Sequence, residues 1–454
     1  MEKTLRFLRC FLLFIAWIAP DGVALAGGTP SEYRGEYFLP SGRRVSVFEQ
    51  GITAAMIRLV FVNWENGRTG ALVAGDAGQF RSPLSPAEPG GPATELRFEQ
   101  SRGGGVVAVV VREPGGEAVR AERRETFRET PVRFPNGDVE LSGTIKTPLT
   151  PGPFPAVVLV HGSGPGGRLQ VEATARFFVH LGLAVLSYDK RGCGESGGDW
   201  KTVDLEVLAA DAVAGVALLQ GRPDIDAKRV GLWGISQGGW VGPLAASQSG
   251  KVAFVINHSG PGTSLRRQDT YMTANVLKEQ GVSPDDIDLV LRALNTMYDF
   301  GRKRATAEAL DAAVGALGGK AGLEDFAALT SSALIPDSLY AHQTIGDPAW
   351  FFHLDPDRDA TAPYRKLKCP LLVIFGRLDY TVPVDESVEK ISEALRAGGH
   401  RDFQVKVLDR IGHGTIVMQK EAPQLPAVPM SVAPEYYALV EEWLRARGFC
   451  GDGK

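Results

Sequence analysis

Apolar and polar residues follow two different patterns along the chain, and the change comes near residue 125. In the first part the apolar positions come in short β-prone runs such as Val45–Phe48 and Val106–Val111. Thr94–Glu99 places Thr, Leu and Phe in alternation with charged residues, and Asn66-Gly67 accepts the positive φ angles of a tight hairpin turn. Residues 27–125 are therefore predicted to form a β-rich N-terminal module.

The charged run Arg120–Glu129 lies at this change and is predicted to be a solvated strand end or a linker. Beyond it, Asn136-Gly137 marks a second hairpin, and strand-like and helix-like segments then alternate. Such alternation is typical of a parallel sheet covered by helices on both faces, so residues 126–454 are predicted to form an α/β domain. The apolar runs that predict its strands are Ala156–Val160, Ala184–Tyr188, Val230–Ile235, Ala253–Ile256, Pro370–Phe375 and Phe403–Leu408, and helical spacing is found at 169–181, 205–219 and 434–447.

Strand signals stop between about residues 261 and 363. In this interval Ser283-Pro284 resembles an N-cap followed by proline at the first helical position, and Thr306–Leu317 is rich in alanine. The interval is therefore predicted to be a helical cap inserted between two strands of the sheet.

The stretch Arg229–Gly239 is predicted to be a buried strand that stops abruptly at Gly-Ile-Ser-Gln-Gly. In this G-x-S-x-G pattern the glycines at 234 and 238 lack the Cβ atoms that would clash in a sharp strand-to-helix turn, so Ser236 can be held strained and exposed. The amide of Gln237 then lies at a helix N-terminus, which favours a developing negative charge. Because a serine hydroxyl is a weak nucleophile alone, the hypothesis also requires a histidine, an acid and a second oxyanion donor.

The required partners follow the next strands. Asp379 comes directly after the strand Leu371–Phe375, and His413, flanked by glycines, comes after the last predicted strand. Loops after parallel strands meet at one edge of the sheet, so Ser236, Asp379 and His413 are predicted to form a catalytic triad. Asp385 competes with Asp379 but is predicted to cap the following helix.

The second oxyanion donor is expected in the loop after the strand Ala156–Val160, where the sequence reads His161-Gly-Ser-Gly-Pro-Gly-Gly167. Its glycines let backbone amides approach a ligand closely, and we assign the amide of Ser163 as the partner of the Gln237 amide. A phosphate-binding loop is the alternative, but the G-x-x-x-x-G-K-[ST] pattern is absent. His258, at a strand end, either lines the pocket or is a buried structural histidine.

Taken together, these motifs resemble the α/β-hydrolase superfamily over roughly residues 130–447. The resemblance rests on His161-Gly162, Asp189-Lys-Arg-Gly-Cys-Gly-Glu-Ser196, the serine motif, Asp379 and His413, all in the family's order. The chain is similar to exported bacterial carboxylesterases with a β-rich N-terminal module, and more distantly to dienelactone hydrolases, acyl-CoA thioesterases and prolyl-oligopeptidase-type peptidases. In that family pattern, Asp189–Ser196 is expected to be a structural wall.

The N-terminus predicts export. Lys3, Arg6 and Arg9 precede the apolar run Cys10–Ala19, and small residues at 24–26 form a cleavage site. Residues 1–26 are therefore predicted to be a signal peptide, with an uncleaved membrane anchor as the alternative, and the mature protein is expected to be periplasmic or secreted. No later segment is predicted to span a membrane.

The composition of the chain excludes some classes of function. The 454 residues are 22% charged and 44% hydrophobic, as in ordinary globular proteins, and no basic block indicates nucleic-acid binding. After removal of the signal peptide three cysteines remain, Cys193, Cys369 and Cys450, so at most one intramolecular disulfide can form. Their spacing does not fit a metal site, and we expect no metal or organic cofactor.

The sequence thus predicts a serine hydrolase that cleaves carboxylic esters through an acyl-enzyme, with a small-molecule ester as substrate. Short acyl chains are favoured by the resemblance. A serine peptidase uses the same chemistry and remains an alternative, whereas thioesterase action on coenzyme A esters is disfavoured by export. A binding protein with an inactive hydrolase body is the alternative outside enzymology, and the sequence leaves the oligomeric state open.

Overall fold

The computed structural model describes residues 30–51, 57–76, 78–85, 88–318, 354–420 and 425–450. The predicted signal peptide lies outside the described residues, as does the second part of the predicted cap, residues 319–353. The described part of the chain contains two β-sheets, and helices that follow the first sheet in sequence cover the second.

The first sheet has nine strands, and every neighbouring pair is antiparallel. Their order is β4-β3-β2-β1-β9-β8-β7-β6-β5. Since β4 and β5 are separated only by Leu72, both edges of the sheet belong to one short run of chain, and the sheet curls into a barrel. Its strands are β1 Gly35–Phe38, β2 Arg44–Gln50, β3 Arg58–Asn63, β4 Thr69–Ala71, β5 Val73–Ala74, β6 Gln79–Pro83, β7 Ala93–Gln100, β8 Val106–Arg112 and β9 Ala118–Arg124.

The interior of the barrel is filled by side chains. Along β7, Thr94, Leu96 and Phe98 are buried while the charged residues between them are exposed, which is the alternation seen in the sequence. Phe98 packs against Tyr33 and Phe80 at ring-centroid distances of 4.8 and 5.4 Å. The predicted β-rich N-terminal region is therefore confirmed as a packed barrel.

The charged run at the end of the barrel forms strands and not a linker. Ala118–Arg124 is β9, which pairs with β1 and β8, and only residues 125–126 separate it from β10. Ala121 is the single buried residue of β9, and Arg120, Glu122 and Arg124 lie on the opposite, outer face. The strand is hard to recognise in the sequence because the Arg and Glu residues of its exposed face dominate the local pattern.

The second sheet has eight strands in the order β10-β11-β13-β12-β14-β15-β16-β17. β10 and β11 form the predicted hairpin around Gly137, which has φ 59°, and β11 runs antiparallel to β13. All remaining pairs are parallel. The strands are β10 Phe127–Asn136, β11 Val139–Pro148, β12 Phe154–Val160, β13 Ala184–Tyr188, β14 Ile225–Ile235, β15 Val255–His258, β16 Leu371–Gly376 and β17 Phe403–Leu408.

Helices cover both faces of this sheet, as predicted. All seven residues of β12 are buried, with Val158 and Val160 in the core on one face and Val157 and Leu159 in the core on the other. This explains why its strands read as continuous apolar runs. The helices are α1 Glu172–His180, α2 Leu205–Gln220, α3 Gly238–Gln248, α4 Leu265–Glu279, α5 Pro284–Gly301, α6 Ala307–Gly315, α7 Ala362–Lys366, α8 Val384–Ala397 and α9 Pro434–Arg445.

The described part of the insertion between β15 and β16 is helical. Ser283 and Thr306 cap α5 and α6, and each side chain accepts a hydrogen bond from the amide three residues later. Leu277 of α4 and Val290 of α5 are fully buried against each other's helices in a small separate core. This core is built by the inserted helices themselves.

The barrel and the α/β domain share a hydrophobic core. Phe48, Val60 and Val62 of the barrel belong to the same buried cluster as Phe177 of α1 and Tyr437 of α9. The strands β2 and β3 therefore contribute one face to the barrel interior and the other to the interface.

A buried ionic cluster crosses the same interface. Glu36 of β1 is 2% exposed and lies 2.5 Å from the guanidinium of Arg176 on α1. Its carboxylate also accepts from Ser46 Oγ at 2.5 Å and lies 3.3 Å from Arg44. Arg176 is held from its own helix by Glu172 at 2.8 Å. Charges buried in this way are tolerated because each one has opposite charges and hydrogen bonds around it.

A third contact joins the barrel to the chain just before α9. Arg68 is 3% exposed, and its guanidinium donates to the carbonyl of Met430 at 2.7 Å. The amide of Thr69 donates to the same carbonyl, and that of Val432 donates to the carbonyl of Gly67 at 2.9 Å. The segment around Met430 is thereby bound to the barrel by its backbone.

Candidate active site

Ser236 lies directly after β14, with φ 57°, in the left-handed region that non-glycine residues rarely occupy. The turn is closed so tightly that a Cβ on Gly234 would overlap the backbone of Gly238. A Cβ on Gly238 would lie 2.5 Å from the carbonyl oxygen of Val160. Both glycines of the motif are thus required by close backbone approach, and the strained serine between them is characteristic of functional sites.

The turn is attached to the neighbouring strand. The amide of Ser236 donates to the carbonyl of His258 at 2.9 Å, which continues the parallel pairing of β14 with β15 past the strand end. This bond occupies the serine amide and fixes the backbone of the turn.

Asp379 and His413 are in direct contact. His413 Nδ1 lies 2.8 Å from Asp379 Oδ2, and both residues are buried, at 6% and 4% exposure. The other carboxylate oxygen accepts from the amides of Thr381 and Val382 at 2.8 and 3.0 Å. Because an ionised carboxylate only accepts hydrogen bonds, His413 carries its hydrogen on Nδ1, and Nε2 is left as the proton acceptor.

Gly376 explains how the histidine loop reaches the aspartate. At this residue, the last of β16, a Cβ would overlap the carbonyl oxygens of Ile411 and Gly412. The loop that carries His413 therefore lies directly across the end of β16. Ser236, Asp379 and His413 follow three of four consecutive parallel strands, β14 to β17, so all three lie at the same edge of the sheet.

Asp385 is placed differently from its predicted position. The helix α8 has Pro383 at its N-cap, and Asp385 lies in the first turn. Its side chain is 88% exposed and pairs with Arg377 at 2.7 Å. An acidic residue in the first turn is stabilised by the helix dipole, which accounts for its position without a cap bond.

The two amides assigned to the oxyanion hole belong to residues next to the nucleophile: Gln237 follows Ser236 in sequence, and Ser163 follows Gly162. Gly162 packs so closely on Ser236 that a Cβ added to it would lie 3.4 Å from the serine Cβ. Among the described residues, neither the amide of Ser163 nor that of Gln237 donates to a protein acceptor. Backbone amides in a buried turn normally have partners, so two unpaired ones beside a strained serine mark a place where a ligand oxygen can bind.

Sequence reasoning missed Lys190, which is 4% exposed and lies behind this loop. Its ammonium donates to the carbonyls of Gly162 and Gly164 at 2.7 and 2.9 Å and to Gln237 Oε1 at 2.9 Å. Burial lowers the pKa of Lys190 to about 8. The signal available in the sequence is a lysine at the end of a strand together with a glycine-rich turn, because the carbonyls of such a turn need hydrogen-bond donors.

The rest of the segment Asp189–Ser196 acts as the expected wall. Asp189 accepts from the guanidinium of Arg168 at 2.7 Å, and Ser196 Oγ donates to the Asp189 carbonyl at 2.7 Å. Ser196 Oγ also accepts from the amide of Ser142. These bonds tie the turn to β11.

His258 is a buried structural histidine by its surroundings. Its ring is fully buried, 4.6 Å from the ring of Tyr436 and 6.0 Å from that of Trp233. Neither ring nitrogen has a hydrogen-bond partner within the described residues. Burial, followed by the charge of nearby His413, lowers the pKa of His258 to about 3, so the ring is neutral.

Cys193, Cys369 and Cys450 are all free thiols. Across the described ranges no group of three or more His, Cys, Asp or Glu side chains is placed to hold a metal ion. In the same part of the chain no helix combines the length and apolar character needed to cross a bilayer.

A sequence model described as the alpha/beta hydrolase family matches residues 157–427, more than half of the chain. The chain therefore belongs to the alpha/beta hydrolase family. This agrees with the sheet order and with the serine turn described above, and the fold predicted from the sequence is confirmed.

The individual relatives share limited sequence identity with this chain or match only part of it. The chain is 28% identical to the esterase EstD of Thermotoga maritima over 297 residues, which cover 64% of this chain and 60% of EstD. It is 33% identical to the quorum-quenching protein AidA of Acinetobacter baumannii over 127 residues, 28% of this chain and 42% of AidA. An esterase structure from Pyrococcus furiosus covers 70% of this chain and 91% of its own, with 20% identity and a TM-score of 0.45. The chain thus spans less than two thirds of the length of either sequence relative.

Proposed function

We propose that this protein is a serine hydrolase that cleaves carboxylic esters through an acyl-enzyme intermediate. The observation that carries the proposal is the left-handed Ser236, flanked by two unpaired amides, at the sheet edge where His413 and Asp379 are hydrogen-bonded. Nucleophile, base, orienting acid and oxyanion donors are the complete set that acyl transfer needs. Similarity to EstD, which is named an esterase, supports the choice of esters.

In the first half-reaction, Ser236 Oγ attacks the ester carbonyl carbon as its proton moves to His413 Nε2. The carbonyl π electrons move to oxygen, and the amides of Ser163 and Gln237 donate to that oxyanion. Asp379 holds the ring and stabilises the imidazolium. The intermediate collapses, the bond to the leaving alcohol breaks, and His413 returns its proton to the alcohol oxygen.

In the second half-reaction water takes the place of the alcohol. His413 accepts a proton from water as the water oxygen attacks the acyl carbon. The second intermediate then collapses, the bond from the acyl carbon to Ser236 Oγ breaks, and His413 gives its proton to Oγ, which releases the acid and restores the Ser236 hydroxyl. Each oxyanion donor contributes about 2.7–4 kcal/mol in enzymes of this chemistry, so the two amides account for a large share of the rate.

The proposal also includes the class of substrate and the location of the protein in the cell. Esters with short acyl chains are the proposed substrates, on the family resemblance. The basic and apolar pattern of residues 1–26 supports export to the periplasm or beyond. The same pattern disfavours coenzyme A thioesters, which belong to the cytoplasm.

The test compares Ser236→Ala with Ser247→Ala, a control on the following helix whose hydroxyl donates to the carbonyl of Leu244. Ser236→Ala is expected to abolish p-nitrophenyl acetate turnover and fluorophosphonate labelling with an unchanged circular dichroism spectrum, while Ser247→Ala retains both. Turnover by Ser236→Ala at the wild-type rate refutes the proposal. A fluorogenic dipeptide panel cleaved faster than esters, and only with Ser236 present, would replace esterase by peptidase.

A further inference from the structure

We propose that Lys190 is a positioning residue for the oxyanion hole: its ammonium sets the direction of the Ser163 amide and joins it to the Gln237 side of the site. This inference rests on the function proposed above. It concerns a side chain that neither the triad nor the family motif requires for chemistry.

The ammonium of Lys190 uses all three of its protons in this one place. Two go to carbonyl oxygens of the loop, at Gly162 and Gly164, and the third goes to the side-chain oxygen of Gln237. The first two acceptors belong to the loop after β12, and the third belongs to the turn after β14. One buried cation therefore connects the two segments whose amides flank the nucleophile.

The bond to Gly162 determines which way the next amide points. The Gly162 carbonyl and the Ser163 N–H belong to one planar trans peptide, so they point to opposite sides of the chain. With the carbonyl bound to Lys190, the Ser163 N–H must face away from the lysine and out of the buried wall. That N–H has no protein acceptor among the described residues.

The loop needs such an external restraint because of its composition. Residues 162–167 include four glycines, and Gly164 has φ 78°, so the loop's own side chains restrain its backbone little. The backbone of Lys190 adds a second tie, since its amide donates to the carbonyl of Gly166 at 2.8 Å. Side chain and main chain of one residue thus hold both halves of the loop.

The positive charge of Lys190 also makes the Ser163 amide a stronger hydrogen-bond donor. A carbonyl that accepts from an ammonium is polarised, and its peptide N–H becomes a better donor to an oxyanion. Asp211, whose charge acts on Lys190, is paired with Arg191 at 2.6 Å, and the adjacent Asp189 is paired with Arg168 at 2.7 Å. The face of Trp200 lies 5.5 Å from Nζ and covers the ammonium on another side.

The main test compares Lys190→Met with Lys201→Met. Lys201 lies 5.9 Å from the same Trp200 ring but makes no contact with the loop. For Lys190→Met we expect kcat on p-nitrophenyl acetate to fall about 10- to 100-fold while KM changes less than about threefold, because the lost contact acts on the developing oxyanion and not on ground-state binding. Lys201→Met is expected to match the wild type.

A trifluoromethyl ketone separates positioning from a merely structural role. Ser236 adds to its carbonyl and forms a hemiketal whose oxygen occupies the oxyanion hole, with the serine proton on His413. If Lys190 sets the two amides, the inhibition constant of Lys190→Met rises in parallel with its loss of kcat. A loss of kcat with unchanged ketone affinity overturns the inference, as does a folded Lys190→Met with wild-type kcat.

Gln237→Met is the second variant, and it decides the question if Lys190→Met does not fold. It removes the acceptor on the serine turn but keeps the backbone amide at 237 and the two loop carbonyls on Lys190. We expect a smaller loss of kcat with the same parallel rise in the ketone inhibition constant, and no change in either contradicts the inference. Ser236→Ala assayed alongside distinguishes the two proposals: turnover without Ser236 refutes the esterase proposal itself.

Discussion

His413 Nδ1 lies 2.8 Å from Asp379 Oδ2, and the second oxygen of that carboxylate is bound by two backbone amides of its own turn. The aspartate is thus fixed from its own loop before it meets the imidazole. An acceptor held in this way selects the histidine tautomer in which Nε2 is the proton acceptor.

Asp379→Asn is expected to lower kcat roughly 10⁴-fold, because an amide group can donate to Nδ1 and so stabilise the wrong tautomer. The measurement is p-nitrophenyl acetate turnover at saturating substrate. Asp385→Asn is the matched control, since this neighbouring carboxylate is exposed and pairs with Arg377. Equal activity of the two variants would remove Asp379 from the proposed triad.

Gly234→Ala is expected to disrupt the serine turn, because the new Cβ overlaps the backbone of Gly238. We expect a loss of about 1–3 kcal/mol of unfolding free energy together with most of the activity. Gly242→Ala, in the helix that follows, serves as control: its Cβ meets Val255 at 3.6 Å, an ordinary contact, and should raise helix stability by up to about 1 kcal/mol. Urea denaturation and ester turnover check both. An active, stable Gly234→Ala would contradict the close approach.

The burial of His258 predicts that the folded protein loses stability in acid. Its pKa in the folded protein, about 3, lies below the unfolded value near 6.5, so the unfolded chain binds the extra proton between these pH values. The free energy of unfolding therefore falls as the pH drops below about 6.5, and this residue contributes about 2 kcal/mol of the loss between pH 7 and pH 5. His258→Phe should reduce the difference between urea titrations at these two pH values by that amount. An unchanged difference would show that the ring is protonated in the fold.

Glu36→Gln tests the interface between barrel and α/β domain. The substitution removes a charge that is 2% exposed, takes one carboxylate from the buried guanidinium of Arg176 and leaves the half-buried Arg44 without its own, so we expect a loss of about 3–5 kcal/mol. Glu49→Gln is the control, because Arg34 and Glu49 form a partly exposed pair worth less than about 1 kcal/mol. Urea midpoints of both variants give the comparison. Equal, small effects would mean that the cluster does not stabilise the interface.

The sequence predicts what depends on local pattern and on chain order. Continuous apolar runs predict the buried parallel strands, and the loops after them place Asp379 and His413 at one edge, where the structure joins them. The glycines at 234 and 238, which lack Cβ atoms, predict the strained turn at Ser236.

Other features depend on which distant segments meet. Closure of the barrel requires both sheet edges to meet near Leu72, which no local pattern shows. The role of Lys190 depends on three acceptors from two separate segments, and a lysine in a glycine-rich turn is ordinarily solvated. The run Arg120–Glu129 was ambiguous because its outer face carries nearly all of its charge.

The bond between Arg68 and Met430 has a consequence for how the gene can be rearranged. Cutting the coding region near residue 125 would leave the hydrolase half with an uncovered aromatic surface at Phe177 and Tyr437 and an unanchored C-terminal approach to α9. The barrel is therefore not an exchangeable adaptor, and recombination that preserves a working catalyst must inherit both parts together.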